Sequence, residues 1–162
     1  MCAQVYVSIG SNIERERNIA YSLQALTEAF GPLQLSSVYE SRAVGFDSAP
    51  FYNLVAGFRT SESPQAVQQK LHAIEADAGR VRTTRMTART LDLDLLLYDD
   101  RVIREDNLLL PRNDITRYAF VLRPLAELAG NARHPVTGER YADMWAAFDR
   151  DSQPLAAVAW PP

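Results

Sequence analysis

Asp92 and Asp94 stand two residues apart in the run R-T-L-D-L-D. They follow a segment, residues 79–91, that holds Arg80, Arg82, Arg85 and Arg89 and no acid. On a β-strand, side chains two apart share a face, with Cα atoms roughly 6–7 Å from one another. Both carboxylates therefore project the same way, next to a concentrated positive charge. Desolvating two like charges is costly, so something must compensate them. Either arginines pair with the two acids, or the acids hold a hard divalent cation such as magnesium together with a phosphate chain. The arginines face the matching choice between a solvated basic face and a phosphate cradle, for which their planar forked donors are suited. Four arginines joined to two aspartates favour phosphate-transfer chemistry. One or two bridging ions would hold the attacking oxygen in line and spread the developing charge.

Other chemistries lack their parts. Cys2 is the only cysteine, which excludes an intrachain disulfide and a cysteine-built zinc site. His72 and His134 are too few and too isolated for a histidine metal centre. No glycine-rich loop with its lysine and hydroxyl occurs: Gly10-Ser11-Asn12 is too short, and Lys70, the only lysine, lies within a helical pattern. Any nucleotide must then be held by arginines and metal. The net charge of -3 argues against a general polyanion binder while leaving room for a local basic site. The opening MCAQVYVSIGSN has no basic n-region or long apolar stretch, and no run approaches eighteen apolar residues. A soluble cytoplasmic protein is the expectation.

The scaffold that must carry these groups is legible in outline. A chain of 162 residues, 47% apolar and 23% charged, is expected to form one domain over 1–162, with a weakly specified tail from about 149. Residues 4–9 read as a buried strand ending in the Gly10-Ser11-Asn12 turn. Ser11 and Glu14 match a capping box, and Ile19, Leu23, Leu26 and Phe30 fall on one helix face, which Gly31-Pro32 ends. Residues 33–39 and 51–60 read as strands separated by a loop. Ser63 and Pro64 open a second helix carrying Val67, Leu71, Ile74 and Ala78, with Gly79 placed to close it. The arginine-rich stretch to Arg89 reads as a loop, and residues 91–98 as a strand too apolar on both faces for a wet edge. The order βαββαβ implies a ferredoxin-like α/β (α+β) core with its helices on one sheet face. A C-terminal hairpin at 102–110, a helix over 118–128 that Pro124 can interrupt, a turn at His134–Gly138 and a short helix over 141–148 complete it.

The segments VYVSIGSN, SVYES, FYNLV, IEADAGRVR, RTLDLDLLLYDD, LLLPRND and AFVLRPLAELAG together resemble the 6-hydroxymethyl-7,8-dihydropterin pyrophosphokinase family over about residues 4–130. G-R-x-R, R-T-L-D-L-D and P-x-x-D at this spacing form a specific combination. The resemblance implies transfer of the β,γ-diphosphate of ATP to the pterin hydroxymethyl oxygen, with release of AMP, in folate biosynthesis. It implies that Asp92 and Asp94 coordinate two Mg2+ ions and that Arg80, Arg82 and Arg89 engage the triphosphate. Arg80, Arg89, Asp92 and Asp94 form the catalytic set. Arg85 matches another loop arginine, Glu75 the nucleotide-positioning glutamate, and His72 a nucleotide-contacting position. The implied pterin site comprises Ser41, Asn53 as the ring-reading amide, and Phe51 and Phe120 as stacking rings. Without the resemblance, those phenylalanines read as core.

The chain departs from the family pattern in places. Both active-site loops are about one residue short. Met86 stands where tryptophan is common, Arg42 where proline is usual, and Arg112-Asn113 where a histidine-tyrosine pair is common. Tyr118 takes an arginine's position, with Arg117 adjacent; Arg112 and Arg117 are retained as phosphate-contact candidates. These departures bear on affinity and loop closure more than on reaction class. ATP and a reduced pterin are the expected partners, with no nucleic acid or membrane, and a monomer is the expected state. The alternatives are a related magnesium-dependent pyrophosphokinase with another hydroxymethyl acceptor, a degenerate binding homologue, or a single-strand nucleic-acid module displaying Tyr6 and Phe58.

Overall fold

Apolar alternation over the first strand, β1 (Ala3–Ser11), sends Val5, Val7 and Ile9 into one core, leaving Tyr6, Ser8 and Gly10 for the other face. A computed structural model describes residues 2–41, 50–81 and 91–162, with the side chains of Arg80 and Val81 outside that description. β1 pairs antiparallel with β4 (Phe51–Thr60) on one side and β5 (Asp92–Tyr98) on the other. β3 (Val38–Ser41) adds to β4, giving the order β5-β1-β4-β3 of a ferredoxin-like core. The region between the second helix and β5 that carries Arg82, Arg85 and Arg89, and the loop containing Arg42, lie outside the described residues.

Helices α1 (Arg15–Phe30) and α2 (Pro64–Val81) cover the face presenting Val5, Val7 and Ile9, where Ile19, Leu26, Val67, Leu71 and Ala78 are buried with Leu93 and Leu95. Phe30 stacks on Phe58 at 4.3 Å. The other face is covered as well, by α4 (Ala119–Ala129) and α5 (Tyr141–Ala147), whose Val121, Leu122, Leu125 and Tyr141 pack with Val55, Leu96 and Leu97. The expectation of helices on one face alone is therefore incomplete. Phe58 is buried and Tyr6 packs against the second core, so neither is displayed as a nucleic-acid module requires. Pro124 sits inside α4 without interrupting it, its ring buried.

Several local expectations give way to tertiary contacts. β5 is an edge strand, not a central one. Its apolar faces are covered by α2 and by α3 (Asp114–Arg117) with α4. Its outer backbone edge is engaged too: the Leu93 N–H donates to Glu75 Oε2 at 2.8 Å, and the Leu96 carbonyl accepts the Arg112 N–H at 3.1 Å. β1 runs on through Gly10 and Ser11, so no turn forms there. The capping box is also absent: α1 begins after Glu14, held at φ 41°, with Ser11 Oγ donating to the Ile13 carbonyl instead. Gly79 lies within α2, which continues to Val81, whereas Ser63 does cap it, accepting the Ala66 N–H at 3.1 Å. The second strand divides into β2 (Gln34–Leu35) and β3 around Ser36, whose Oγ accepts the Val55 N–H at 2.9 Å.

β6 (Ile103–Glu105) and β7 (Leu108–Leu110) form the expected hairpin. The tail has more structure than its prolines suggest. A 3-10 turn (Arg150–Ser152) leads into β8 (Ala156–Val158), which pairs antiparallel with β3 and extends the sheet. Among the described residues, no helix is long and apolar enough to cross a membrane.

His134 organises the turn before α5. Its buried ring accepts the N–H groups of Val136 and Thr137 at Nδ1, both at 3.2 Å. Burial holds its pKa below the ordinary 6.5, so the folded state binds fewer protons than the unfolded chain. The associated stability is present above pH 6.5 and lost as the pH falls from there through the folded-state value. Melting temperatures measured from pH 7.5 to 5 should fall more steeply in the wild type than in His134→Asn, which keeps an acceptor but does not titrate. Equal slopes would remove His134 as the cause.

Candidate active site

Directly paired residues of an antiparallel sheet share a face. The register therefore lines up Asp92, Gly10, Asn53 and Tyr39 in one row across four strands, with Asp94, Ser8 and Val55 in the next. Ser41 pairs with Phe51 on the same face. The acid pair and the candidate ring-reading residues, which lie far apart in the chain, thus share the face that α4 covers. Gly10 is the hinge of this arrangement: a Cβ there would lie 2.9 Å from Asn53 Oδ1. The missing side chain makes room for the Asn53 amide oxygen on the β1 side, while its Nδ2 donates to Ser41 Oγ of β3 on the other side at 2.8 Å. Gly10→Ala should displace that amide and weaken pterin binding roughly tenfold, the scale of one buried hydrogen bond. Titration with a pterin ligand checks this, and unchanged binding would show that Asn53 can shift without consequence.

Asp92 and Asp94 are half-buried at the start of β5. Behind them α2 presents Glu75, half-buried, and His72 one turn earlier, exposed. Burial pushes the Glu75 carboxyl above the ordinary carboxylate range, and the fields of Asp92 and Asp94 act in the same direction. The Leu93 N–H bond and His72 oppose them. Arg112 enters from the segment after β7, its Nη2 3.5 Å from Asp94 Oδ1 and its Nε 3.5 Å from Asp114 Oδ2. An arginine does pair with Asp94, then, but it comes from the far side of the hairpin. Arg112 Nε is buried and makes no hydrogen bond.

Among the described residues no cluster of three metal-binding side chains occurs. The donor set nevertheless suits magnesium, which takes one or two carboxylates and completes its octahedron with water and phosphate oxygens. Asp92 and Asp94 share one face of β5 with Glu75 behind them, so like charges gather here, the condition a cation relieves. Arg117 ends α3 and is exposed. Arg82, Arg85, Arg89 and Met86 lie outside the described residues, as does the Arg80 side chain.

A cleft of about 690 Å³ opens beside this row, lined by Ser41 and Pro50, by Tyr118 and Phe120, and by the tail from Ser152 to Ala156. Asn53 is not among the lining residues and connects to the cleft through its hydrogen bond to Ser41 Oγ. Phe120 stacks on Tyr118, with centroids 5.0 Å apart and planes 19° from parallel. Phe51 is half-buried at the start of β4 and is not among the described lining residues. The predicted Phe51–Phe120 sandwich is therefore represented here by Phe120 alone, with Tyr118 as its stacking partner. That role for Tyr118 was hidden because the residue reads only as a missing arginine. The tail's part in the wall carries no periodic signal.

The model of the 7,8-dihydro-6-hydroxymethylpterin-pyrophosphokinase (HPPK) family matches residues 6–130. The chain is 38% identical over 142 residues to a 2-amino-4-hydroxy-6-hydroxymethyldihydropteridine pyrophosphokinase of Pseudomonas aeruginosa, covering 83% of this chain and 86% of that protein. It is 35% identical over 136 residues to the protein of that name from Aquifex aeolicus, covering 83% and 85%. It is 33% identical over 155 residues to the folic acid synthesis protein fol1 of Pneumocystis carinii, of which it spans only 21%. Among solved structures, Plasmodium falciparum HPPK-DHPS with pterin and p-hydroxybenzoate superposes with a TM-score of 0.72 at 12% identity, covering 90% of this chain and 43% of that one. At that identity the likeness concerns the fold.

Proposed function

The chain belongs to the 7,8-dihydro-6-hydroxymethylpterin-pyrophosphokinase family, and from that membership we propose that it transfers the β,γ-diphosphate of ATP to the hydroxymethyl oxygen of 6-hydroxymethyl-7,8-dihydropterin. The Pα–O–Pβ bridge breaks, AMP leaves, and the pterin carries away the diphosphate for folate synthesis. The observation that carries this reading is the single row holding Asp92, Gly10 and Asn53. Strands lie about 4.8 Å apart, so Asp92 and Asn53, two strands apart, stand roughly 10 Å from one another across the row.

In this reading the pterin enters the cleft against Phe120, where a stacked contact contributes about 0.5–1.5 kcal/mol. Asn53 and Ser41 read its polar edge with groups that both donate and accept. Asp92 and Asp94 would hold Mg2+, which when bound neutralises the phosphate charge that builds up during transfer. Arg80, Arg82, Arg85 and Arg89 engage the triphosphate, Arg112 stands ready to exchange Asp94 for a phosphate oxygen, and Arg117 remains a peripheral contact. Glu75 fixes β5 through the Leu93 N–H, and so fixes the direction of both aspartates; His72 lies toward the nucleotide side.

The proposal extends to one pyrophosphokinase domain over residues 1–162, for which the tail's return to pair with β3 speaks, and to a monomeric state. It also extends to a reducing cytoplasmic setting, which suits the free, exposed Cys2. Incubation with the reduced pterin, ATP and Mg2+ should yield AMP and the pterin diphosphate. ADP as product, or no pterin-dependent turnover at any magnesium concentration, sinks the assignment. AMP release with another hydroxymethyl alcohol but not the pterin would transfer it to the alternative acceptor.

A further inference from the structure

The family match ends at residue 130, yet the tail beyond it forms one wall of the cleft. Its most engaged residue there is Gln153. The side-chain amide is used at both ends: Oε1 accepts the Ala119 N–H at 2.9 Å, and Nε2 donates to the Arg117 carbonyl at 2.9 Å. These two backbone groups bracket Tyr118, which is extended (φ -123°, ψ 127°) between α3 and α4. An extended residue turns the flanking C=O and N–H to the same side, as a strand does toward its neighbour. Gln153 pairs with Tyr118's flanks as a neighbouring strand would.

The Ala119 N–H is also one of the unpaired donors at the start of α4, and Tyr118 makes no side-chain cap of its own. Gln153 thus caps α4 from a segment more than thirty residues away. The competing conformation is simple: if Tyr118 turned helical, α3 and α4 would merge, and the ring stacked on Phe120 would swing with the backbone. β8 anchors the clamp by pairing Ala156, Ala157 and Val158 with Glu40, Tyr39 and Val38 of β3, next to Ser41.

We infer that Gln153 is a positioning residue for the pterin, acting through the Tyr118–Phe120 stack and without touching the reacting atoms. The inference rests on the pyrophosphokinase reading of the cleft. It makes the tail part of the acceptor site and assigns it no role toward ATP. The side chain is only half-buried, so its replacement should leave the fold intact.

The test is equilibrium binding of 6-hydroxymethylpterin to the full chain, with Mg2+ and α,β-methylene-ATP present so that the bridge to be cleaved is blocked. Gln153→Ala should raise the pterin Kd about tenfold, the worth of two modest hydrogen bonds, with the nucleotide Kd unchanged and Tm lowered by only a few degrees. Gln153→Glu keeps the acceptor for Ala119 but loses the donor to Arg117, and should fall between the two. An unchanged pterin Kd in Gln153→Ala overturns the inference. So does a parallel loss of pterin, nucleotide and Tm, which would mark a purely structural role. If the wild type binds nucleotide but no pterin, the reading of the cleft falls, and this inference with it. Wild-type pterin binding that Gln153→Ala leaves intact sinks only the clamp.

Discussion

Asp94→Ala lowers turnover by about three orders of magnitude or more, at saturating ATP and pterin and at any magnesium concentration. A metal clamp on transferring phosphoryl oxygens contributes several kcal/mol of transition-state stabilisation, and each 1.36 kcal/mol is tenfold in rate. Asp94 is half-exposed on an edge strand, so folding should survive its truncation. Its removal also releases Arg112 from the 3.5 Å contact, which favours an Arg112–phosphate pair and can preserve nucleotide binding while chemistry fails. The informative measurements are therefore three: kcat, nucleotide Kd with and without Mg2+, and Tm. Loss of kcat and of the magnesium dependence at constant Tm identifies a metal ligand. Retention of more than a tenth of wild-type turnover would falsify that role.

Asn53→Ala should act on the other substrate. Asn53 is 3% exposed and its amide donates to Ser41 Oγ, so truncation removes the amide proposed to read the ring and leaves a buried hydroxyl with one partner fewer. Losing hydrogen bonds inside a dry site costs about 1–3 kcal/mol each. The apparent KM for the pterin should then rise by about two orders of magnitude, with a much smaller change for ATP. A melting temperature a few degrees lower is also expected, since about 1 kcal/mol shifts Tm by roughly 2–4 °C in a domain of this size. Asn53→Asp retains an acceptor and the shape, so it separates the donor's contribution from packing. If the KM values of both substrates rise together, Asn53 supports the sheet and does not read the pterin.

The two substitutions probe groups 41 residues apart in the chain, and their coupling shows where reading a sequence stops. Strands, helices and the βαββαβ order were legible because apolar residues recur with periods of 2 and 3.6, as at Val5, Val7, Ile9 and at Val67, Leu71, Ile74, Ala78. The acid pair was legible because strand geometry alone puts Asp92 and Asp94 on one face. Features set by one segment contacting another were not. The apolar character of β5 reads equally as a central strand or as an edge strand covered on both faces. Nothing local to residues 91–98 reveals that Glu75 and Arg112 complete its outer edge. Ser11 and Glu14 have the spacing of a capping box, but β1 pairs on both sides as far as Gly10, and with β4 through Ser11. That pairing draws Ser11 into the sheet before a helix can start.

Two aspartates and an arginine-rich segment by themselves favoured phosphate-transfer chemistry, because charge, donor type and strand parity are properties of the residues and their order, and the spaced motifs carried the resemblance to the family. Only the tertiary structure decided that Gly10 makes room for Asn53, that Arg112 meets Asp94, that Tyr118 is Phe120's stacking partner, and that Gln153 reaches back to cap α4. Each of these depends on register or on contact between distant segments. A one-residue slip of β1 against β4 or β5 would send every one of its side chains to the opposite face, and local sequence carries no record of which pairing wins.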